Sequence, residues 1–365
     1  MKRRDFLAAG AAMALAPMAA SAGAARRYLY VAQPGIRNYQ QYGGVGVLVY
    51  DIDDDFAFVR RIPTWAVADG KEAVNVKGVA ASARTGRLWV TSITRLICID
   101  LNTDRVVWDV APAGGCDRLS VSPDGRTLYV PSFEGPHWNV IDGLTGRTIS
   151  TLKLDSKAHN TLWGPKGRHV YLEGLASPYL SIADARTHTV VGRVGPFSAS
   201  IRPFTVNAAE TLAYVNVNER LGFEVGDIRT GKVLHQVDVQ GVEKGPVARH
   251  GCPSHGIGLT PDEREVWVCD GHNSALHVFD NTVMPPRQVA TLKVRDQPGW
   301  VTFSLDGRLA FPSTGEVFDV ASRRLVKALQ DETGRQIGSE KLVEVQVADS
   351  RVVACGDQFG IGRKR

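Results

Sequence analysis

The residues with the most distinctive chemistry fall in two short runs, His250-Gly251-Cys252-Pro253-Ser254-His255 and Cys269-Asp270-Gly271-His272. Imidazole nitrogen and thiolate sulfur are ligands for zinc, copper or iron, so His250, Cys252, His255 and His272 form a candidate metal set. The spacing has no fixed geometry of its own. A metal-free acid/base role, or loop histidines that only hydrogen-bond backbone, stand as alternatives. His159 and Glu173 form a candidate acid/base pair, because an imidazole and a carboxyl group in one site can pass a proton near neutral pH. With His255 they are the candidate catalytic residues. Glu134 with His137, and Glu219, are weaker carriers of the same chemistry. A third set, Lys77, Arg118, Arg202 and Lys341 with Trp300, is suited to a small carboxylate, phosphate or other anion, unless these are ordinary solvated loop residues. The sequence contains no P-loop, nucleotide-binding glycine fingerprint, nucleophile elbow or Cys-x-x-Cys-His haem attachment.

These residues have to be positioned by something, and the chain offers mainly strands. Short Val/Ile/Leu/Tyr/Trp runs recur between turn residues, helix-period patterns are scarce, and the composition reads as all-β. A strand ending in aspartate appears seven times, at Asp51, Asp100, Asp142, Asp184, Asp227, Asp280 and Asp319. The separations run from 39 to 53 residues, the length of one four-stranded propeller blade. In four copies a threonine follows three residues on (Thr103, Thr145, Thr187, Thr230). A carboxylate at a strand end can accept the N–H groups of the following turn, so these aspartates are read as turn-makers and not as catalysts.

An aromatic or aliphatic strand precedes each aspartate, as in Leu88-Trp89-Val90, Leu128-Tyr129-Val130 and Val266-Trp267-Val268. Tight turns such as Ser122-Pro123-Asp124-Gly125 precede most of these strands. The prediction is a seven-bladed β-propeller of four-stranded antiparallel blades. Its mature N-terminus opens on an aromatic strand with no inner strand before it, and Leu342-Val343-Glu344-Val345-Gln346-Val347 is an inner strand left over. Together they would close the ring in one blade and remove the exposed edges. Arg351-Val352-Val353-Ala354-Cys355 fits no register cleanly and is expected either beside Tyr28 or as an extension of the closure. A WD40 propeller would repeat its Trp-Asp signature, whereas Trp108-Asp109 occurs once.

In this architecture the segments that lead into the inner strands meet at one face around the axis. Lys77, Arg118, His159, Arg202, His255 and Lys341 would then form a positive-leaning funnel, the usual place for a propeller ligand. Trp65, Trp108 and Trp163 are read as packing residues, and Trp300 as a funnel residue. Of the five cysteines, Cys98 and Cys355 read as buried thiols, and Cys252 with Cys269 is the locally plausible disulfide. If that bridge forms, the cysteine part of the metal set fails.

The first 24 residues read as an address. Lys2-Arg3-Arg4 precede Phe6-Leu7 and an Ala-rich apolar stretch, with Ala20-Ser21-Ala22 as a cleavage site. The paired arginines resemble a twin-arginine export signal, although an ordinary secretory signal fits as well. The expectation is therefore an export signal over 1–24, a single propeller domain over 25–365, and a periplasmic or secreted location. The formal charge of +5 is small and its basic residues are scattered among acidic ones, which argues against nucleic acid. No run approaches the ~18 apolar residues of a membrane span, and a monomer is expected.

With Ser-Pro-Asp-Gly-Arg-Thr-Leu-Tyr-Val at 122–130 as its clearest copy, the repeat resembles the YVTN-repeat β-propeller family over nearly the whole mature chain. The family hosts unrelated activities. The resemblance leaves three readings open. One is an enzyme similar in plan to propeller lactonases and lyases, which use His, Glu and often a divalent metal ion on an anionic substrate. Another is a non-catalytic module that binds a small molecule or another exported protein. The last is a redox carrier like the d1-haem propellers, with His255 or His159 as axial ligand.

Overall fold

Each repeat turns back on itself at its aspartate. Asp142 accepts the N–H groups of Leu144 and Thr145 at 3.0 and 2.9 Å and the Thr145 hydroxyl at 3.0 Å, and Asp184 does the same for Arg186 and Thr187. The backbone N–H groups of Thr187 and Thr230 hold the Asp184 and Asp227 carboxyls below their ordinary range. The carboxylate form is thus the one that fixes the turn.

The computed structural model describes residues 25–363, and residues 1–24, expected from the sequence to be an export signal, lie outside them. Seven antiparallel sheets follow one another around an axis, six of them four-stranded. A representative blade runs Ala158–Trp163, His169–Gly174, Leu180–Asp184 and Thr189–Val194, from the inside outward. The aromatic second strands, with Trp138 of a third strand, supply the cement between blades: Trp89, Trp138, Trp267, Tyr129, Tyr171 and Tyr214 are fully buried. Their polar atoms are also used, since Trp89 donates to the Gly143 carbonyl at 2.9 Å and Trp138 to the Thr161 hydroxyl at 2.7 Å, each in the next blade. Among the described residues the only helical element is a 3-10 turn, Gln40–Tyr42, and no helix is long and apolar enough to cross a membrane.

The ring closes where the leftover strands meet. Leu342–Ala348 pairs antiparallel with Arg26–Gln33, from Arg26 opposite Val347 to Val31 opposite Leu342, so the two ends of the chain share one blade. This sheet has a fifth strand, Arg351–Cys355, which lies not beside Tyr28 but on the axial edge of Leu342–Ala348. The tail beyond it then fills the axis. The Gln358 amide accepts the Val79 N–H at 3.1 Å and donates to the Leu119 carbonyl at 2.9 Å. Thr302 donates to Asp357 O and Thr205 to Gly360 O, each at 2.8 Å, and Gly362 and Arg363 reach Val206 and Pro261. Phe359 is buried edge-on against Trp300, with ring centroids 5.8 Å apart. Five inner strands or their lead-in loops are therefore tied together by one short segment that carries no strand pattern.

Removing the Phe359 ring should leave a cavity on the axis. Phe359→Ala is expected to lower the unfolding free energy by about 3 kcal/mol, read from urea denaturation; an unchanged midpoint would mean that the tail does not hold the ring.

Candidate functional site

The lead-in segments of the inner strands converge above this tail and enclose a cavity of about 240 Å³. Lys77, Arg118, His159, Arg202, His255 and Lys341 all line it, one or more from each of six blades. Arg37, Arg249, Asp117, Glu134, His250 and Glu340 join them. The lining therefore carries six basic side chains against three acidic ones. At this size the cavity falls below the ~300–1,000 Å³ of drug-sized ligand sites.

Two buried carboxylates organise the charge. Asp117 accepts the His159 Nδ1–H at 2.8 Å and faces the Lys77 ammonium at 3.2 Å. Burial would raise its carboxyl, but His159 and Lys77 outweigh that and hold it below the ordinary value. Glu340 is engaged on one oxygen: Oε2 accepts Arg118 Nη2 at 3.1 Å and Lys341 Nζ at 2.9 Å, while the Glu340 carbonyl accepts Arg118 Nη1 at 2.9 Å. Again burial is overcome, by Lys341, His250, His255 and Arg118, and the carboxyl is held well below the usual range. Their cationic partners give way in turn. Desolvation lowers Lys341 to about 8 and Arg118 to about 10, so Arg118 stays charged at neutral pH and Lys341 titrates close to it. The Arg118 guanidinium also lies 3.4 Å over the Trp300 ring, a cation–π contact that sets it between the cavity and the tail.

Three imidazoles face this pair of anchors. The His255 Nδ1–H donates to the Gly299 carbonyl at 2.9 Å, and Asp117 fixes His159 in the same tautomer, so each keeps the lone pair on Nε2. His250 stacks on His255 with ring centroids 4.5 Å apart, and its Nε2 stands 3.5 Å from Glu340 Oε1. Burial pushes His250 below the ordinary imidazole value and, with the neighbouring His250, pushes His255 far below it. Both are neutral at pH 7. The approach of His250 to Glu340 depends on Gly299, where a Cβ would lie 2.3 Å from Glu340 Oε1 and from His250 Nε2.

Other residues named from the sequence stand elsewhere. Glu173 is fully buried beside the cavity without lining it, and Oε2 accepts the Asn160 backbone and side-chain N–H at 3.1 and 2.6 Å. Desolvation raises its carboxyl, and Oε1 has no hydrogen-bond partner. The carboxylate paired with His159 is thus Asp117 and not Glu173. Cys252 is buried, donates its thiol to Ser254 O at 3.1 Å, and is pushed up to about 12 by desolvation. Cys269 is also a buried free thiol. His272 is exposed and donates Nδ1–H to the Pro246 carbonyl at 3.1 Å. Of the candidate metal set, only His250 and His255 come together, and the third ligating group near them is Glu340: the ligand atoms of these three lie within 4.8 Å of one another. Trp300 lies beneath Arg118 with 1 % of its surface exposed and supports the floor without lining the cavity. Arg202 is held by Asn218 Oδ1 at 2.6 Å. Asp117 and Glu340 were each one residue from a named candidate, and the signal for both was an acidic residue adjoining a basic one at the same point of the repeat.

No protein-family model matches this chain, and no curated protein does. In fold, 1686 solved chains match it, so the likeness identifies an architecture and no activity. One is the β-propeller domain of Cps50 (Swd1) from Myceliophteria thermophila, at 14 % identity and a TM-score of 0.57, over 76 % of this chain and 88 % of that one.

The close approach at Gly299 makes a sharp test of the site's geometry. Gly299→Ala forces a clamped carboxylate and a buried imidazole apart, and is expected to cost about 1–3 kcal/mol of stability. A variant as stable as the parent in urea would show that the His250–Glu340 approach is loose.

Proposed function

We propose that this chain is an exported propeller of the YVTN-repeat kind whose central cavity binds a small anion, a carboxylate or phosphate of a few carbon atoms, and transfers a proton to or from it through His159. The observation that carries the reading is the charge of the lining: six basic side chains against three acidic ones around a space too small for a larger ligand. Asp117 neutralises Lys77 in part and Glu340 is shared by Arg118 and Lys341, so Arg202 and Arg37 supply positive charge that no lining carboxylate matches. An anion completes this arrangement.

The proton-transfer part rests on tautomer control. His159 Nδ1–H is committed to a buried carboxylate, which leaves Nε2 as the base and stabilises the imidazolium once it has taken a proton. A base so placed can remove a proton from carbon next to a bound carboxylate, as a lyase requires, or from water attacking a lactone. The cavity volume disfavours enclosure of a haem macrocycle. The paired arginines at Arg3-Arg4 ahead of Phe6-Leu7 support export.

Thermal-shift screening against small carboxylates and phosphates tests the binding. A true ligand at 100 times its Kd stabilises by about 2.7 kcal/mol, and Arg202→Ala, which breaks no buried ion pair, should weaken it at least about tenfold (1.4 kcal/mol) without changing the melting temperature of the free protein. Undiminished affinity in Arg202→Ala would remove the anion assignment. Affinity should hold below pH 8 and decline above it, because Lys341, lowered to about 8, loses its charge there; the bound anion raises the Lys341 value in the complex, and the decline levels off above that raised value. Asp117→Asn should keep the anion bound while turnover of any lyase or lactone substrate drops at least about a hundredfold.

A further inference from the structure

We propose that His250, His255 and Glu340 bind one divalent transition-metal ion of the zinc class. Their ligand atoms lie within 4.8 Å of one another on the wall of the cavity. Metal–nitrogen and metal–oxygen bonds of ~2.0–2.2 Å at tetrahedral angles place two ligand atoms of one ion roughly 3.5 Å apart, the separation His250 Nε2 and Glu340 Oε1 already have, so the remaining pairs need to close by at most roughly 1.3 Å.

The donor set selects the metal. Two neutral imidazoles with one carboxylate suit zinc, iron, cobalt or copper, whereas magnesium and calcium prefer oxygen throughout. Each ligand is also prepared in its surroundings. His255 gives Nδ1–H to the Gly299 carbonyl, the outer-shell contact that metal-bound histidines make, and which presents Nε2. Glu340 spends Oε2 on Arg118 and Lys341, leaving Oε1 as the oxygen that faces His250. The His250 side chain is 9 % exposed, and among the described contacts its ring makes no hydrogen bond within 3.5 Å. Its Nε2 stands 3.5 Å from Glu340 Oε1 over a glycine that a methyl group would block, too long for a good hydrogen bond and placed where one shared ion would engage both groups. The nearby charges of Arg118 and Lys341 oppose a cation, and the surplus is one that a bound anion would offset. Metal and anion would therefore support each other in the same cavity, the ion acting on the ligand that the proposed function assigns there.

The test uses metal alone, so its failure is distinct from failure of the anion reading. Full-length protein stripped with a chelator is titrated with Co²⁺ and followed by visible absorption. One equivalent should bind with d–d bands and be displaced by Zn²⁺. His250→Ala and His255→Ala should each weaken Co²⁺ binding at least about tenfold, while His272→Ala, whose imidazole lies outside the cluster, keeps the parent spectrum. Circular dichroism checks each variant's fold. If His255→Ala does not fold, His250→Ala carries the comparison, since its ring holds no hydrogen bond in the structure. Parent protein that binds no Co²⁺ at millimolar metal, or binding undiminished in folded His250→Ala, overturns the proposal. Anion affinity measured in the presence of chelator then reads the other reading separately.

Discussion

The pairing of Leu342–Ala348 with Arg26–Gln33 is the contact on which the rest of the molecule depends. It joins segments more than 300 residues apart in sequence, yet the entropy of closing a loop grows only with the logarithm of its length, so the distance itself costs little. In return the strands left over at the two ends of the chain complete one sheet, and the ring keeps only short blade edges. The site exists because of the same closure. Arg118 comes from the second blade along the chain and Glu340 from the last, and they meet across the axis only when the circle is complete.

That meeting has an electrostatic cost, which the arrangement offsets locally. A buried charge is tolerated when it is paired and hydrogen-bonded, and Asp117 and Glu340 each satisfy two neighbouring groups at once. Pairing stops short of neutrality, however. The cavity keeps basic side chains without acidic partners, and it keeps imidazoles that desolvation holds uncharged. Fold stability alone would favour fewer such groups, and their concentration at one point of the ring is the physical reason to read that point as functional.

Much of this was legible in the residues. The Asp-ended turns and the aromatic strands act within one blade, and a signal that is local in space is also local in sequence. Seven copies fixed the number of sheets, and the unpaired strand types at the two ends foretold the shared blade. The basic lining followed from the position of Lys77, Arg118, Arg202 and Lys341 in the repeat. The partners did not, because Asp117 and Glu340 matter through contacts made between blades. Glu173 shares a blade with His159 yet points its oxygen to Asn160, and Cys252 and His272 lie close to His255 in sequence but turn toward the Ser254 and Pro246 carbonyls. Residues 356–363 were the least legible of all: their hydrogen bonds go to five distant strands or loops, and nothing in their own pattern announces it.

The seating of that tail has a consequence for traffic. Phe359 and Gln358 pack directly under Trp300 and so form a floor beneath the cavity. A molecule held at the histidines would then enter and leave by the same mouth. Any part of a guest too long for the hollow has to trail outward past the rim loops, where selectivity for size would then be set.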